Sequence, residues 1–391
     1  MSNQDVATTV HELAQQFEEE LLQFQRDLHA HPELSRQEVR TTAKVAERLR
    51  AAGLQPRLLE GTGLLCDIGQ GEGRVGLRAD LDALPLQETT GLPWESEVPG
   101  VAHSCGHDVH TTVVLGAGLV LAQLAAEGKL ARPVRLIFQP AEEVQPGGAL
   151  DLIAQEALQG VSEIYALHCD PKIEVGAVGT RIGPITSASD EVEVTITSSG
   201  GHTSRPHMTG DVVFALGQVI TQVPAILGRR LDPRSGVNLT WGSVRAGQTH
   251  NAIPDSGVVW GTLRCLDAGA WAQAATVMDS AIHEVVSPYG VAVELRHIRG
   301  VPPVINDEEC TRRLDIAVRE VLGEEQLVLT EQSLGGEDFA WYTQHVPGAM
   351  ARLGVRSVGS EIFDIHQPDF VADPKAVMVG TQILARVALR A

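Results

Sequence analysis

The sequence predicts an α/β protein: a discontinuous domain whose central sheet is flanked by helices, interrupted by an inserted ferredoxin-like domain of order β-α-β-β-α-β. Continuous apolar runs such as Val134–Phe138 and Ile164–Leu167 read as strands buried on both faces, separated by helix-patterned stretches. From about Ser187 the pattern turns to polar-apolar alternation, as in Asp190–Thr197, which marks a half-exposed strand. Beyond Ile298 the first pattern resumes, so the middle segment is an insertion. The boundaries that follow are 1–186 and 299–391 for the outer domain and 187–298 for the insertion.

An acidic amphipathic helix opens the chain through about Leu28, and Pro32 blocks its continuation. A second, Glu38–Ala52, stops at Gly53, a residue suited to a left-handed C-cap. Strands follow at Leu64–Ile68 and Arg74–Leu77, the latter running into Arg78-Ala-Asp-Leu-Asp-Ala-Leu-Pro85 and delivering two carboxylates at a strand end. An aspartate-rich turn explains them equally well. Thr111–Glu127 is a long helix that Gly116 and Gly118 allow to pack closely. The insertion reads as strand Asp190–Thr197, helix Val212–Leu227, strands Val237–Val244 and Gly257–Leu266, helix Ala270–Val286 and strand Val291–Ile298. Helix Cys310–Leu322, strand Ala349–Val355 and helix Lys375–Ala388 close the chain, with hinges at Gly183-Pro184 and Gly300-Val-Pro-Pro303.

Composition removes several function classes. A chain of 391 residues, 43% hydrophobic and 20% charged, can bury two cores and is not disordered. A formal net charge of -20 leaves no basic face for nucleic acid or an anionic membrane. The five cysteines are odd in number and scattered, which reads as reduced thiols in a cytoplasmic protein. The acidic amino terminus lacks the basic start and apolar core of an export signal. No apolar run approaches the length of a membrane span.

Chemistry concentrates in His103-Ser-Cys-Gly-His-Asp-Val-His110, where imidazoles, a thiol and a carboxylate crowd together. Thiolate sulfur and imidazole nitrogen are the donors zinc prefers, and Cys105 and His107 are close enough to share an ion. Glu142-Glu143, His168 and His366 each adjoin an apolar run, and ligands in α/β sheets gather beyond the carboxyl ends of strands. On an extended chain neighbouring glutamates face opposite ways, so one can bind metal while the other carries a proton. A charged loop is the alternative.

Arg78-Ala-Asp-Leu-Asp-Ala-Leu-Pro85, His103 to His110, Phe138-Gln-Pro-Ala-Glu-Glu143, Gly200-Gly-His-Thr-Ser-Arg-Pro-His207, Gly335-Gly-Glu-Asp-Phe339 and Ile365-His-Gln-Pro-Asp-Phe370 occur in one order. Together they resemble the metal-dependent amidohydrolases: N-acyl-L-amino-acid amidohydrolases, hippurate hydrolases and plant auxin-conjugate hydrolases. The resemblance implies a dinuclear site of Cys105, His107, Glu143, His168 and His366, with Glu142 as general base and Asp82 as a supporting carboxylate. It implies that residues 1–186 and 299–391 are the catalytic metal-binding domain and 187–298 a lid and dimerisation domain. His202 would stabilise the oxyanion, often from the partner subunit.

The implied reaction is hydrolysis of the amide of an N-acyl amino acid by a metal-bound hydroxide, using two divalent ions (zinc, manganese, cobalt or nickel) per subunit. Arg264 and Arg205 compete to bind the substrate carboxylate, and Asn251 offers an amide hydrogen bond; surface and turn roles explain all three as well. The rival readings are a metallo-exopeptidase acting as dipeptidase or carboxypeptidase, a metal-free Cys105 nucleophile, and a silent binding module.

Overall fold

The computed structural model describes residues 3–390, and the chain divides into two compact units. The first comprises Met1–Gly183, Ile305–Glu331 and Asp338–Ala391. Its mixed eight-stranded sheet runs in the order Arg57–Leu58, Leu64–Ile68, Val134–Gln139, Arg74–Asp80, Val161–Glu174, Gly348–Arg356, Val178–Thr180, Leu327–Leu329. The four strands from Val134–Gln139 to Gly348–Arg356 are mutually parallel, while Leu64–Ile68 joins antiparallel. Those central strands are buried along most of their length, as expected where helices cover both faces.

Helix His107–Ala126 lies in the core, where small residues set its distance from its neighbours. A Cβ on Gly118 would fall 2.4 Å from Leu136 Cδ1, and one on Gly116 would fall 2.6 Å from Thr381 Oγ1 of the closing helix Lys375–Arg390. This helix and Val212–Arg230 are long and apolar enough to cross a membrane, which corrects the expectation that no such run exists. For His107–Ala126 the physical reason is packing: 78% of its apolar window is buried inside the protein. A helix enclosed on all sides needs no polar face.

Other differences are local. The first helix is two, Asn3–Gln16 and Glu18–Ala30, with a break at Phe17 that lets Val10 and Ala14 on one and Leu21 on the other reach the same core. Strand Arg74–Asp80 continues past Leu77, because Arg78 and Asp80 neutralise each other inside, 2.6 Å apart.

The second unit is Pro184–Val304 with Gln332–Glu337. Its four-stranded sheet is antiparallel throughout, in the order Asn238–Ala246, Ser256–Cys265, Ala188–Thr197, Ala292–Val301. Helices Val212–Arg230 and Ala268–Val286 bury their apolar stripes on it, forming a separate core that includes Val194, Val219, Val259 and Met278. The unit begins and ends a few residues outside 187–298 because the Ile185 N–H donates to Val304 O at 3.0 Å and zips the crossing strands together. Gln332–Glu337 is a second excursion with no compositional signal; the Ser333 N–H donates to Ile185 O at 2.9 Å.

Candidate metal centre

Two of the parallel strands end in register, Asp80 opposite Gln139, while the neighbouring strand runs on to Glu174 and so presents His168 from its middle rather than from its end. Strand Arg74–Asp80 leads to Asp82, Val134–Gln139 leads to Glu142 and Glu143, and Val161–Glu174 carries His168. Gly106, the cap of helix His107–Ala126, adopts φ 84°, and a Cβ there would strike Cys169 Sγ at 2.6 Å. Glycine therefore lets the Cys105–His107 turn lie against the His168 strand. His366 itself has φ 60°, a costly conformation for a non-glycine residue, and its N–H donates to Ser104 O at 2.7 Å.

Donor atoms of Cys105, His107 and His168 lie within 4.8 Å of one another, as do those of Cys105, Glu143 and His366, and of His107, Glu142 and Glu143. The three groups share members, so they form one continuous cluster. Cys105 Sγ is 3.6 Å from His168 Nε2, and Glu143 Oε1 is 3.3 Å from His366 Nε2 and 3.8 Å from His107 Nε2. Second contacts fix the ring tautomers. The His107 Nδ1–H donates to Asp82 O at 2.8 Å, with Asp82 Oδ1 at 3.3 Å, and the His168 Nδ1–H donates to Cys169 O at 2.8 Å. Both Nε2 lone pairs therefore face the cluster.

The decisive atoms are His107 Nε2 and Glu143 Oε1, both buried and neither hydrogen-bonded. Orphaned buried donors and acceptors are costly, and a shared cation at their meeting point satisfies both. The residues present fit a divalent metal.

Asp80, His107 and His110 form a further group within 4.8 Å. Two of its members are already engaged: the His110 Nδ1–H donates to Asp80 Oδ1 at 2.6 Å and His110 Nε2 accepts the Cys169 N–H at 2.8 Å. Arg78 Nη1 donates to Asp80 Oδ2 at 2.6 Å. Asp82 Oδ2 likewise accepts from Ser35 Oγ at 2.6 Å and from the Glu143 N–H at 2.9 Å, so it braces both a histidine and the glutamate loop.

Burial, then the Glu143 charge, pushes the Cys105 thiol well above its ordinary range. Burial opposes charge on His107, but Asp80 and Cys105 outweigh it and raise the imidazole. A thiol serves a metal as thiolate, so a cation at this position would oppose the upward push that burial gives Cys105.

Behind the cluster the His29 ring bridges Asp108 Oδ2, 2.9 Å from Nδ1, and Glu88 Oε1, 3.0 Å from Nε2. Burial depresses this imidazole, yet attraction and hydrogen bonding to Asp108 and Glu88 prevail and push it up to about 10 from 6.5. A raised folded value means that the stabilisation is complete below the unfolded value and is lost as pH climbs toward 10. The melting temperature of the protein is expected to fall more steeply over that interval than that of His29→Gln. Parallel melting curves contradict it.

The remaining sequence candidates lie in the second unit. His202 is exposed on the short strand Gly201–His202, and its Nδ1 accepts the Ser204 N–H at 3.1 Å. Asn251 Oδ1 accepts from Thr249 Oγ1 at 3.0 Å, and Arg264 Nη1 donates to Leu334 O. Arg205 is exposed.

The profile of Peptidase family M20/M25/M40 matches residues 76–390. The chain belongs to this family. Among curated relatives, a Rhodococcus jostii (strain RHA1) protein that carries the name glutamate–cysteine ligase 2-3 is 52% identical over 94% of this M20 chain, which spans only 46% of it. N-acetyl-L-cysteine deacetylase of Bacillus subtilis (strain 168) is 36% identical, over 95% of this chain and 88% of its own. Thermostable carboxypeptidase 1 of Saccharolobus solfataricus is 33% identical, over 96% of each chain. Among solved structures, the YXEP protein of Bacillus subtilis, described as a dinuclear metal binding peptidase from the M20 family, superposes with TM-score 0.84 at 35% identity, covering 96% of this chain and 98% of its own. This M20 chain is thus a metal-dependent hydrolase of the amidohydrolase and peptidase type.

Proposed function

We propose that the enzyme hydrolyses the amide bond of N-acyl amino acids, such as N-acetyl or N-benzoyl derivatives, releasing a carboxylic acid and a free amino acid. Two divalent ions per subunit would be held by Cys105, His107, Glu143, His168 and His366. The orphaned His107 Nε2 and Glu143 Oε1 carry this reading. When bound, such a pair supplies Lewis acidity toward the scissile carbonyl and acidifies water. Sulfur and nitrogen donors favour zinc, while the carboxylate and imidazoles also suit manganese, cobalt or nickel.

Glu142 takes a proton from the attacking water as its oxygen bonds to the carbonyl carbon. It returns that proton to the amine nitrogen as the C–N bond breaks. Asp82 holds His107 in the tautomer that presents Nε2. His202 donates to the oxyanion: with Nδ1 accepting the Ser204 N–H, the neutral ring carries its proton on Nε2. Arg264 or Arg205 meets the substrate carboxylate and Asn251 the amide. The second unit, with its β-α-β-β-α-β chain order, acts as a ferredoxin-like lid and as the dimerisation surface of a cytoplasmic homodimer.

The name of the deacetylase relative supports amide cleavage, and that of the carboxypeptidase relative supports the alternative, a metallo-exopeptidase. Product analysis on N-acetyl and N-benzoyl amino acids beside dipeptides separates them. Release of acetate or benzoate at higher kcat/KM than any dipeptide is cleaved is the expected result; the reverse preference establishes the exopeptidase.

Activity is also expected to fall below neutral pH together with bound metal, since protons reclaim the thiolate and imidazoles. Activity and metal content followed on one sample from neutral to acid pH check this. A profile independent of metal occupancy contradicts it.

A further inference from the structure

Asp338, in the motif Gly335-Gly-Glu-Asp-Phe339, has no part in the chemistry above, yet it is completely buried. Its Oδ1 accepts from Arg78 Nη2 at 2.7 Å and Gln139 Nε2 at 2.9 Å; its Oδ2 accepts from Gln139 Nε2 at 2.7 Å and the Ala149 N–H at 3.0 Å. Gln139 ends the strand that enters the Glu142–Glu143 loop, and Ala149 begins the helix Ala149–Ala154 that leaves it. One carboxylate therefore ties both ends of the loop. The Gly148 N–H closes its base on Ala141 O at 2.8 Å. Gly147 passes at φ 87°, and a Cβ there would lie 2.2 Å from Asp338 Oδ2. A carboxylate oxygen of Asp338 comes within 4.8 Å of one of Glu142. Through Arg78 the same carboxylate connects to Asp80, His110 and the Cys169 backbone beside His168.

We propose that Asp338 is a positioning residue for hydrolysis, an acceptor-only clamp that sets the loop carrying Glu142 and Glu143 against the His168 strand. The proposal rests on the metal-dependent reading above. Each of these four hydrogen bonds to Asp338 is donated to it, so the role calls for two acceptor oxygens and not merely a polar side chain of the same shape. In Asp338→Asn, whichever way the amide turns, its NH2 faces either Arg78 Nη2 or the Ala149 N–H, and the clamp opens.

The test is Asp338→Asn, assayed for hydrolysis and, after metal removal, titrated with zinc against a chromogenic chelator. The expected result is kcat lower by ~10–100-fold, KM within about twofold of wild type, and the weaker zinc site loosened by ~10–100-fold, the scale on which outer partners of metal ligands act. Adding Gln139→Glu gives the new NH2 an acceptor and is expected to restore part of both losses, which a merely structural role does not allow. Wild-type kcat and zinc affinity in Asp338→Asn, or no recovery in the double variant, overturn the proposal. Should Asp338→Asn fail to fold, Gly147→Ala presses a methyl on the clamp from the loop side and is expected to give the same signature; wild-type behaviour there also overturns it. If the wild-type protein cleaves neither N-acyl amino acids nor dipeptides, the functional reading fails, and the zinc titration still decides the clamp.

Discussion

Glu142→Gln is expected to abolish all but a residue of turnover while leaving bound metal at the wild-type level. The expectation that the two glutamates face opposite ways is corrected by the structure: the chain is not extended there, Ala141 having φ 59°, and both carboxylates reach His107, so what distinguishes them is the further contact of Glu143 with His366. Glu143 offers Oε1 to His366 Nε2 at 3.3 Å and to His107 Nε2 at 3.8 Å, and its backbone is pinned by Asp82. Glu142 reaches the same cluster through Oε2, 3.9 Å from His107 Nε2. On the proposed division of labour, replacing Glu142 by its amide removes the proton acceptor without removing a ligand, and general base catalysis is worth ~10²–10⁴-fold. Glu143→Gln is expected to weaken at least one ion instead. Kinetics with metal analysis on each variant separates the two, and equal metal loss in both contradicts the division of labour.

His202→Ala is expected to lose ~10²–10³ in kcat with metal content unchanged, the scale of one oxyanion donor. The local geometry makes the ring a donor, since Ser204 Oγ lies 2.9 Å from Nδ1 and the Ser204 N–H occupies the same nitrogen, leaving the proton on Nε2. If the donor acts across a homodimer, inactive His202→Ala and inactive Glu142→Ala subunits together regain activity, because a mixed dimer contains one complete site. No recovery in a mixture shown to exchange subunits places His202 within its own chain's site or outside the chemistry. His202→Gln, which keeps an N–H donor, is expected to retain more rate than alanine.

The parts of the fold that local pattern determines were legible in the sequence. Val134–Gln139 is apolar because helices cover both faces, and Asp190–Thr197 alternates because one face of its sheet is open. Of the donors named from the sequence, Glu143 follows the end of strand Val134–Gln139 as expected, whereas His168 lies inside a strand that runs on to Glu174, Cys105 and His107 sit at the start of a helix and His366 in a loop; the structure nonetheless brings them within reach of one another. What could not be read is pairing at long range. Arg78 and Asp338 are 260 residues apart, and each alone reads as a surface charge. His29 sits in a plain acidic helix until Asp108, 79 residues on, closes on it. The second excursion at Gln332–Glu337 lacks any shift of composition, since its place is fixed by backbone hydrogen bonds such as that between Ser333 and Ile185. The orphaned state of His107 Nε2 and Glu143 Oε1, the observation that separates a metal centre from a polar loop, exists only in three dimensions.

The most direct measurement strips the protein with chelator, reloads it with zinc or manganese in increments, and records bound metal and hydrolysis of an N-acetyl amino acid on the same samples. The account expects no turnover at zero metal, full turnover at two ions per subunit, and neither uptake nor recovery in Cys105→Ala beyond a small fraction. Full activity in protein shown to contain no metal, abolished by Cys105→Ala, contradicts it and makes Cys105 a nucleophile.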